Sequence, residues 1–257
     1  MALLWFMVTP EPSTGIDSVR GAETSLPPKN ALAVHTAYAE LVARRKACSC
    51  CDGLENPSRC GGGTFDRDQI GPWTLWQGNL HAKCMVVGQD WGDTNYFRKN
   101  EGREAHNNPT NTTLRKLLKI AGLSIDAPST EKSGEDLVFF TNAILCLKQG
   151  GLQAAVDPAW FANCSKLFLK PTIDLIKPNV VVTLGERAYR AVCLAYGMRP
   201  QTFRSAVEGE PTQLPSGPLL LPVYHCGARI LNTHRPLSIQ ESDWARVGRV
   251  LSIKVPA

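Results

Sequence analysis

The sequence predicts an α/β fold: a three-layer α/β/α sandwich around a central, mainly parallel four-stranded sheet. Three observations lead there. Four short apolar runs recur, Cys84–Val87, Leu137–Phe140, Val180–Leu184 and Ile230–Leu231 with its neighbours, each bounded by turn or cap residues. They are rich in Val and Phe without polar alternation, the pattern of strands buried on both faces and hence of a parallel sheet covered by helices. Helical spacing accompanies them at Thr112–Ala121, Trp160–Ile176 and Glu186–Tyr196, and a last helix fits Glu241–Leu251.

The remaining elements follow in order. Residues 1–30 are rich in Pro, Ser and Gly and read as an irregular N-terminal arm. Ala31 to Ala47 has the spacing of an amphipathic helix (Leu32, Val34, Tyr38, Leu41, Val42) that ends in the basic Arg44-Arg45-Lys46. A cysteine-rich stretch and a loop at Gly61-Gly62-Gly63 come next. Near the C-terminus, Leu219–Tyr224 and Ala228–Asn232 flank Cys226-Gly227 and read as a hairpin. No internal repeat is evident, so residues 1–257 are expected to form one domain.

Composition narrows the function classes. With 43% hydrophobic and 20% charged residues in 257, the chain is not a disordered one. No apolar run approaches the ~20 residues of a membrane span, and the opening MALLWFMV lacks the flanks of a signal peptide. A monomer in the cytoplasm with no membrane partner is expected. The net charge of +5 is mild. Its placement is more telling: residues 97–120 hold Arg98, Lys99, Arg103, Arg115, Lys116 and Lys119 against Glu101 and Glu104. Such stretches suit either a phosphate-facing surface or solvated helix faces. Nine cysteines are many for a reducing compartment, and Cys48, Cys50, Cys51 and Cys60 fall close together, which points to metal rather than disulfides.

In a parallel sheet the residues at the carboxyl ends of the strands build the site. Those ends carry Gly88-Gln89-Asp90-Trp91-Gly92, then Asn142, then Gly185-Glu186, then His234-Arg235-Pro236-Leu237-Ser238. An Asp, an Asn and a His are therefore expected to converge on one crevice. No Walker lysine loop, no GxGxxG after a strand and no serine nucleophile elbow is present, so no nucleotide cofactor is expected.

The order Gly88-Gln89-Asp90, Thr141-Asn142-Ala143, Val182-Thr183-Leu184-Gly185 and His234-Arg235-Pro236-Leu237-Ser238 resembles the uracil-DNA glycosylase superfamily over about Tyr38 to Leu251. The resemblance implies a monofunctional base-excision enzyme acting on uracil-containing DNA. In that reading Asn142 pairs with the O4 and N3–H edge of a flipped uracil. Asp90 stabilises the sugar cation and positions water, and a neutral His234 donates to the departing O2 anion. Its rival, His225, lies before the expected hairpin turn, whereas His234 precedes Pro-Leu-Ser at an expected strand end. Backbone N–H groups near Gln89 and Trp91 contact the base or phosphate. Leu237 fills the vacated stack, with Arg235 and Ser238 beside it on the DNA.

Trp91-Gly92 stand where the best-known branch has a Pro-Tyr that excludes thymine, which leaves larger bases open. His106 falls at the base-stacking position, with Tyr96 and Phe97 as alternatives. No lysine is implicated, so no Schiff base and no strand cleavage are expected.

The cysteine layout resembles the iron–sulfur branch, family four. That implies a [4Fe–4S] cluster on Cys48, Cys51, Cys146 and Cys164, with Cys50 an alternative to one of the first two and Cys164 opening a helix. Local zinc with Cys60, or free thiols, are the other readings. The chain thus combines a first motif of one branch with the cysteines of another. Two further functions compete: excision of hypoxanthine or xanthine, and a non-catalytic module that binds damaged or abasic DNA.

Overall fold

A computed structural model describes residues 29–253, apart from 72–77, 79, 106, 124, 126–136, 152 and 153. Residues 1–28 of the expected arm and the stacking candidate His106 lie outside the described residues. Helix α1 (Lys29–Ala47) leads into a short strand β1 (Leu54–Glu55) and a 3-10 turn at Cys60–Gly63. Then come β2 (Cys84–Asp90), α2 (Thr94–Lys99), α3 (Pro109–Ile120), β3 (Val138–Ile144) and β4 (Leu147–Lys148). The second half runs α4 (Pro158–Cys164), a π turn (Ser165–Leu169), α5 (Lys170–Ile176), β5 (Val180–Leu184), α6 (Glu186–Ala195) and α7 (Phe203–Glu208). It ends with β6 (Thr212–Gln213), β7 (Leu219–Val223), α8 (Ala228–Thr233) and α9 (Leu237–Ile253).

The main sheet has the order β3-β2-β5-β7-β6. The first four strands are parallel, with Val86 opposite both Phe140 and Val182, and Val182 opposite Leu221. β6 is an antiparallel edge paired with β7. The α/β/α expectation therefore holds with one strand more than the four expected, because a two-residue edge leaves no period to read in a sequence.

Successive side chains of a strand point to opposite faces, and here both faces are covered. Cys84, Val86, Phe140 and Val182 pack against Leu117 of α3 and Trp244 of α9. Met85, Val87, Phe139 and Val181 pack against Leu41 of α1, Ile173 of α5 and Val192 of α6. Local chemistry starts the helices. Asp93, Asn108 and Asp157 accept backbone N–H groups at the N-termini of α2, α3 and α4, and Pro109 and Pro158 occupy first-turn positions.

Two expectations at the C-terminal end are overturned. Residues 228–233 are α8, not the arm of a hairpin or a strand. The fourth parallel strand is Leu219–Val223, buried from Leu220 onward. The run of Ile230 and Leu231 belongs to a single helical turn, too short for its period to be distinguished from a strand's. Chain order then places the topological switch at β2. The connection from β2 leads to β3 on one side, and the return to β5 lies on the other. Ligands of open parallel sheets bind at the carboxyl ends beside such a point.

Candidate active site

Asp90 closes β2 at the switch point. One strand over, Asn142 of β3 stands opposite Gly88 and is 1% exposed. A Cβ on Gly88 would lie 2.3 Å from Asn142 Oδ1, so the missing side chain is what lets the carboxamide lie across β2. Both Asp90 carboxylate oxygens are engaged. Gln89 Nε2 donates to Oδ2, and Lys148 Nζ lies 3.2 Å from Oδ1 with both side chains nearly buried.

From the far side of the switch comes His225, two residues beyond β7. It borders Gly185, whose added Cβ would sit 3.6 Å from that of His225. The ring is solvent-accessible yet hemmed in by protein, which pushes its pKa below the ordinary value while the Asp90 carboxylate acts the other way. Gly227 N–H donates to His225 Nδ1 at 3.0 Å, which assigns the proton of the neutral ring to Nε2.

His234 is not part of this group. It caps the C-terminus of α8, exposed, with Nδ1 against the Thr233 hydroxyl, rather than following a strand. The structure thus corrects the expected placement of the histidine: with no hairpin after Gly227, His225 is the residue at the strand end. The usable signal was its distance from the apolar run Leu219–Val223, two residues, against eleven for His234.

Arg235 is tied to its own chain. It makes a two-armed pair with Asp243 (3.0 and 2.7 Å), reaches Glu208, and lies over the Tyr224 ring. Trp91 turns its ring into the core against Tyr96 and Phe97. Leu237 and Ser238 open α9, and Leu237 is exposed together with Ile239. The expectation that no lysine stands near the site is overturned by Lys148, whose contact with Asp90 depends on β4 and leaves no motif in the sequence.

The stretch that ends in the first turn of α3 borders the site through Thr110, whose carbonyl accepts from the Cys226 thiol. It is organised by Glu104, which accepts from Tyr96 Oη, Asn108 Nδ2 and Asn111 Nδ2. Burial raises the Glu104 pKa, and the three donors pull it back only in part.

A second feature lies on the other side of β4. Cys48, Cys51, Cys146 and Cys164, with Cys50, line one cavity of about 230 Å³, together with Arg45 and Arg59. Three separate stretches supply them: the chain after α1, the β3–β4 junction and the end of α4. Cys164 lies at the last residue of α4, where the π turn begins, and not at the helix start as expected. Cys60 is elsewhere, buried beside Glu55 and Arg98, so it does not join the others. Among the described residues no three His, Cys, Asp or Glu side chains are spaced for a single metal ion. The donor set is all sulfur around a central space, with two guanidinium groups to offset anionic charge. That chemistry fits a four-thiolate cluster.

Among the described residues no helix is long and apolar enough to cross a membrane. The family described as "Uracil DNA glycosylase superfamily" matches residues 75–246, about two-thirds of the chain. A protein of Pyrobaculum aerophilum named type-5 uracil-DNA glycosylase is 27% identical over 197 residues, which cover 71% of this chain and 83% of that protein. Type five is neither of the two branches that the first motif and the cysteine layout resemble.

Proposed function

The chain belongs to the uracil DNA glycosylase superfamily, and on that premise we propose that it extrudes uracil from DNA and hydrolyses its N-glycosidic bond, leaving an abasic site. One observation carries the reading. Asp90 at the end of β2, Asn142 on β3 and His225 just beyond β7 gather at the carboxyl edge of the sheet beside its switch point.

Each group suits one part of the transition state. Asn142 offers a donor and an acceptor to the O4 and N3–H edge of the extruded base, a pattern cytosine does not match. Bond cleavage leaves positive charge on the sugar and negative charge on uracil O2. Asp90 faces the former as an anion and orients the water. His225, neutral with its proton on Nε2, donates to the latter. This is the role the sequence had pointed to at His234.

Arg229, exposed on α8 with no ion-pair partner among the described residues, is a better phosphate contact than Arg235. Leu237 remains the wedge candidate. The lysine beside Asp90 is buried and ion-paired, which supports a reaction that ends at the abasic site without strand cleavage. Cys48, Cys51, Cys146 and Cys164 are proposed to hold a [4Fe–4S] cluster. When bound it supplies a structural cross-link, since the hydrolysis transfers no electron.

The test is release of uracil from single- and double-stranded oligonucleotides, read as alkali-labile sites. Asp90→Asn and His225→Ala are each expected to lose at least about a hundredfold in rate, while His234→Ala stays close to wild type. Release from hypoxanthine but not uracil would move the substrate to purine lesions. Tight DNA retention with no release from either would leave a binding module.

A further inference from the structure

Beneath Asp90 the two-residue strand β4 does more than close a ribbon. Lys148 is its second residue, paired with Leu54 of β1 in register. Its backbone N–H also donates to Gly92 O at 3.2 Å, just beyond Asp90, and a parallel bridge joins it to Asp93. The same residue turns its ammonium onto Asp90 Oδ1 at 3.2 Å, with 4% of the lysine and 7% of the aspartate side chain exposed. Main chain and side chain therefore grip one stretch, from Asp90 at the end of β2 to Asp93.

We propose that Lys148 is a positioning residue for the proposed glycosylase: its ammonium, opposite Gln89, fixes the Asp90 carboxylate in the orientation that the reaction uses. The inference rests on the catalytic reading of Asp90 given above. Physically, a carboxylate this far removed from solvent needs a partner. The lysine occupies one oxygen and Gln89 the other, which suppresses rotation about the carboxyl bond. An aspartate so held acts by its charge and by hydrogen bonding to water. Reactive geometry tolerates little displacement of such a group.

A double-mutant cycle tests this on the full chain, in single-turnover uracil release with DNA affinity measured separately. Lys148→Met is expected to slow release by roughly tenfold or more, with DNA binding within about twofold, because the contact acts only through Asp90. Lys148→Arg, which restores charge and donors, is expected to recover most of the rate. In an Asp90→Asn background Lys148→Met is expected to change the rate by less than about twofold. Should Lys148→Met be too unstable to purify, Lys148→Gln reads the same loss, since its amide is neutral and shorter.

An equal loss in both backgrounds, or a loss in DNA affinity alone, would overturn the positioning role while leaving Asp90 in place. Full activity of Asp90→Asn alone would instead sink the reading on which the proposal rests. Borohydride trapping of enzyme on abasic DNA that disappears in Lys148→Met would make the lysine a nucleophile and end the proposal.

Discussion

Gly88 shows how the site depends on an atom that is absent. Its neighbour across the ladder is Asn142, and the carboxamide oxygen occupies the space in which any other residue would place its Cβ, 2.3 Å away. Contacts that short force movement. The cheapest movement is rotation of Asn142, which aims the carboxamide proposed for base recognition elsewhere. Gly88→Ala is therefore expected to fold, at a cost of about 1–3 kcal/mol for overpacking, and to lose at least about tenfold in kcat/KM for uracil. Guanidine unfolding and uracil release measured together check this, and wild-type kinetics in the variant would remove Asn142 from base recognition. His225 makes the complementary point, that a ring is assigned its tautomer by a backbone neighbour, here the amide of Gly227.

At the scale of elements, one half-buried acid ties α2 to the start of α3. Glu104 gathers Tyr96, Asn108 and Asn111, while Ala105 N–H donates to Tyr96 Oη. Burial raises its pKa, so the folded protein holds this proton to higher pH than the unfolded chain does. Stability from this group is then greatest at or below the ordinary carboxylate pKa and is lost as pH rises through the raised value. Glu104→Gln keeps an acceptor oxygen toward the same donors without the charge. Its Tm relative to wild type is expected to rise between about pH 4 and pH 7. A difference that stays flat with pH, read by calorimetry, would show that this carboxyl does not titrate in that window.

At the scale of the whole molecule, the cysteine cavity is a second place, besides the sheet, where stretches distant in sequence meet. Arg45, 1% exposed, lines that cavity and binds Asp66 at 2.9 Å and the carbonyls of Arg67 and Gln69, fastening the chain that follows the cysteines. β1 and β4 link the same region to the stretch from Asp90 to Asp93 through Lys148. With a cluster bound, three stretches distant in sequence become one cross-linked body. Anaerobically purified protein is expected to contain about four irons per chain. Cys146→Ser is expected to lower both the iron content and the Tm, since metal-site binding free energy is folding free energy. Wild type that is iron-free after anaerobic purification, together with a Cys146→Ser variant whose Tm is unchanged from it, would exclude the cluster.

Much of this was legible in the residues. Val180–Leu184 reads as a buried strand and is one, residue for residue, because a run of β-branched side chains has no polar face to spare. The cysteines that the iron–sulfur resemblance singled out do line one cavity, and the ends of β2 and β3 do bring Gly88, Asp90 and Asn142 to adjacent strands. The histidine was misplaced. Six residues of α8 carry too little periodicity to separate a turn of helix from a strand, and the choice between His225 and His234 hung on that distinction. Lys148 was invisible for another reason: its partner is 58 positions away, and a two-residue ribbon leaves no pattern. The layered α/β architecture, the family and the chemical types at the strand ends follow from local hydrophobic patterning and short motifs, so the residues alone carry them. Which histidine faces Asp90 and which amine pairs with it depend on long-range packing, since local preference does not set contacts between distant segments.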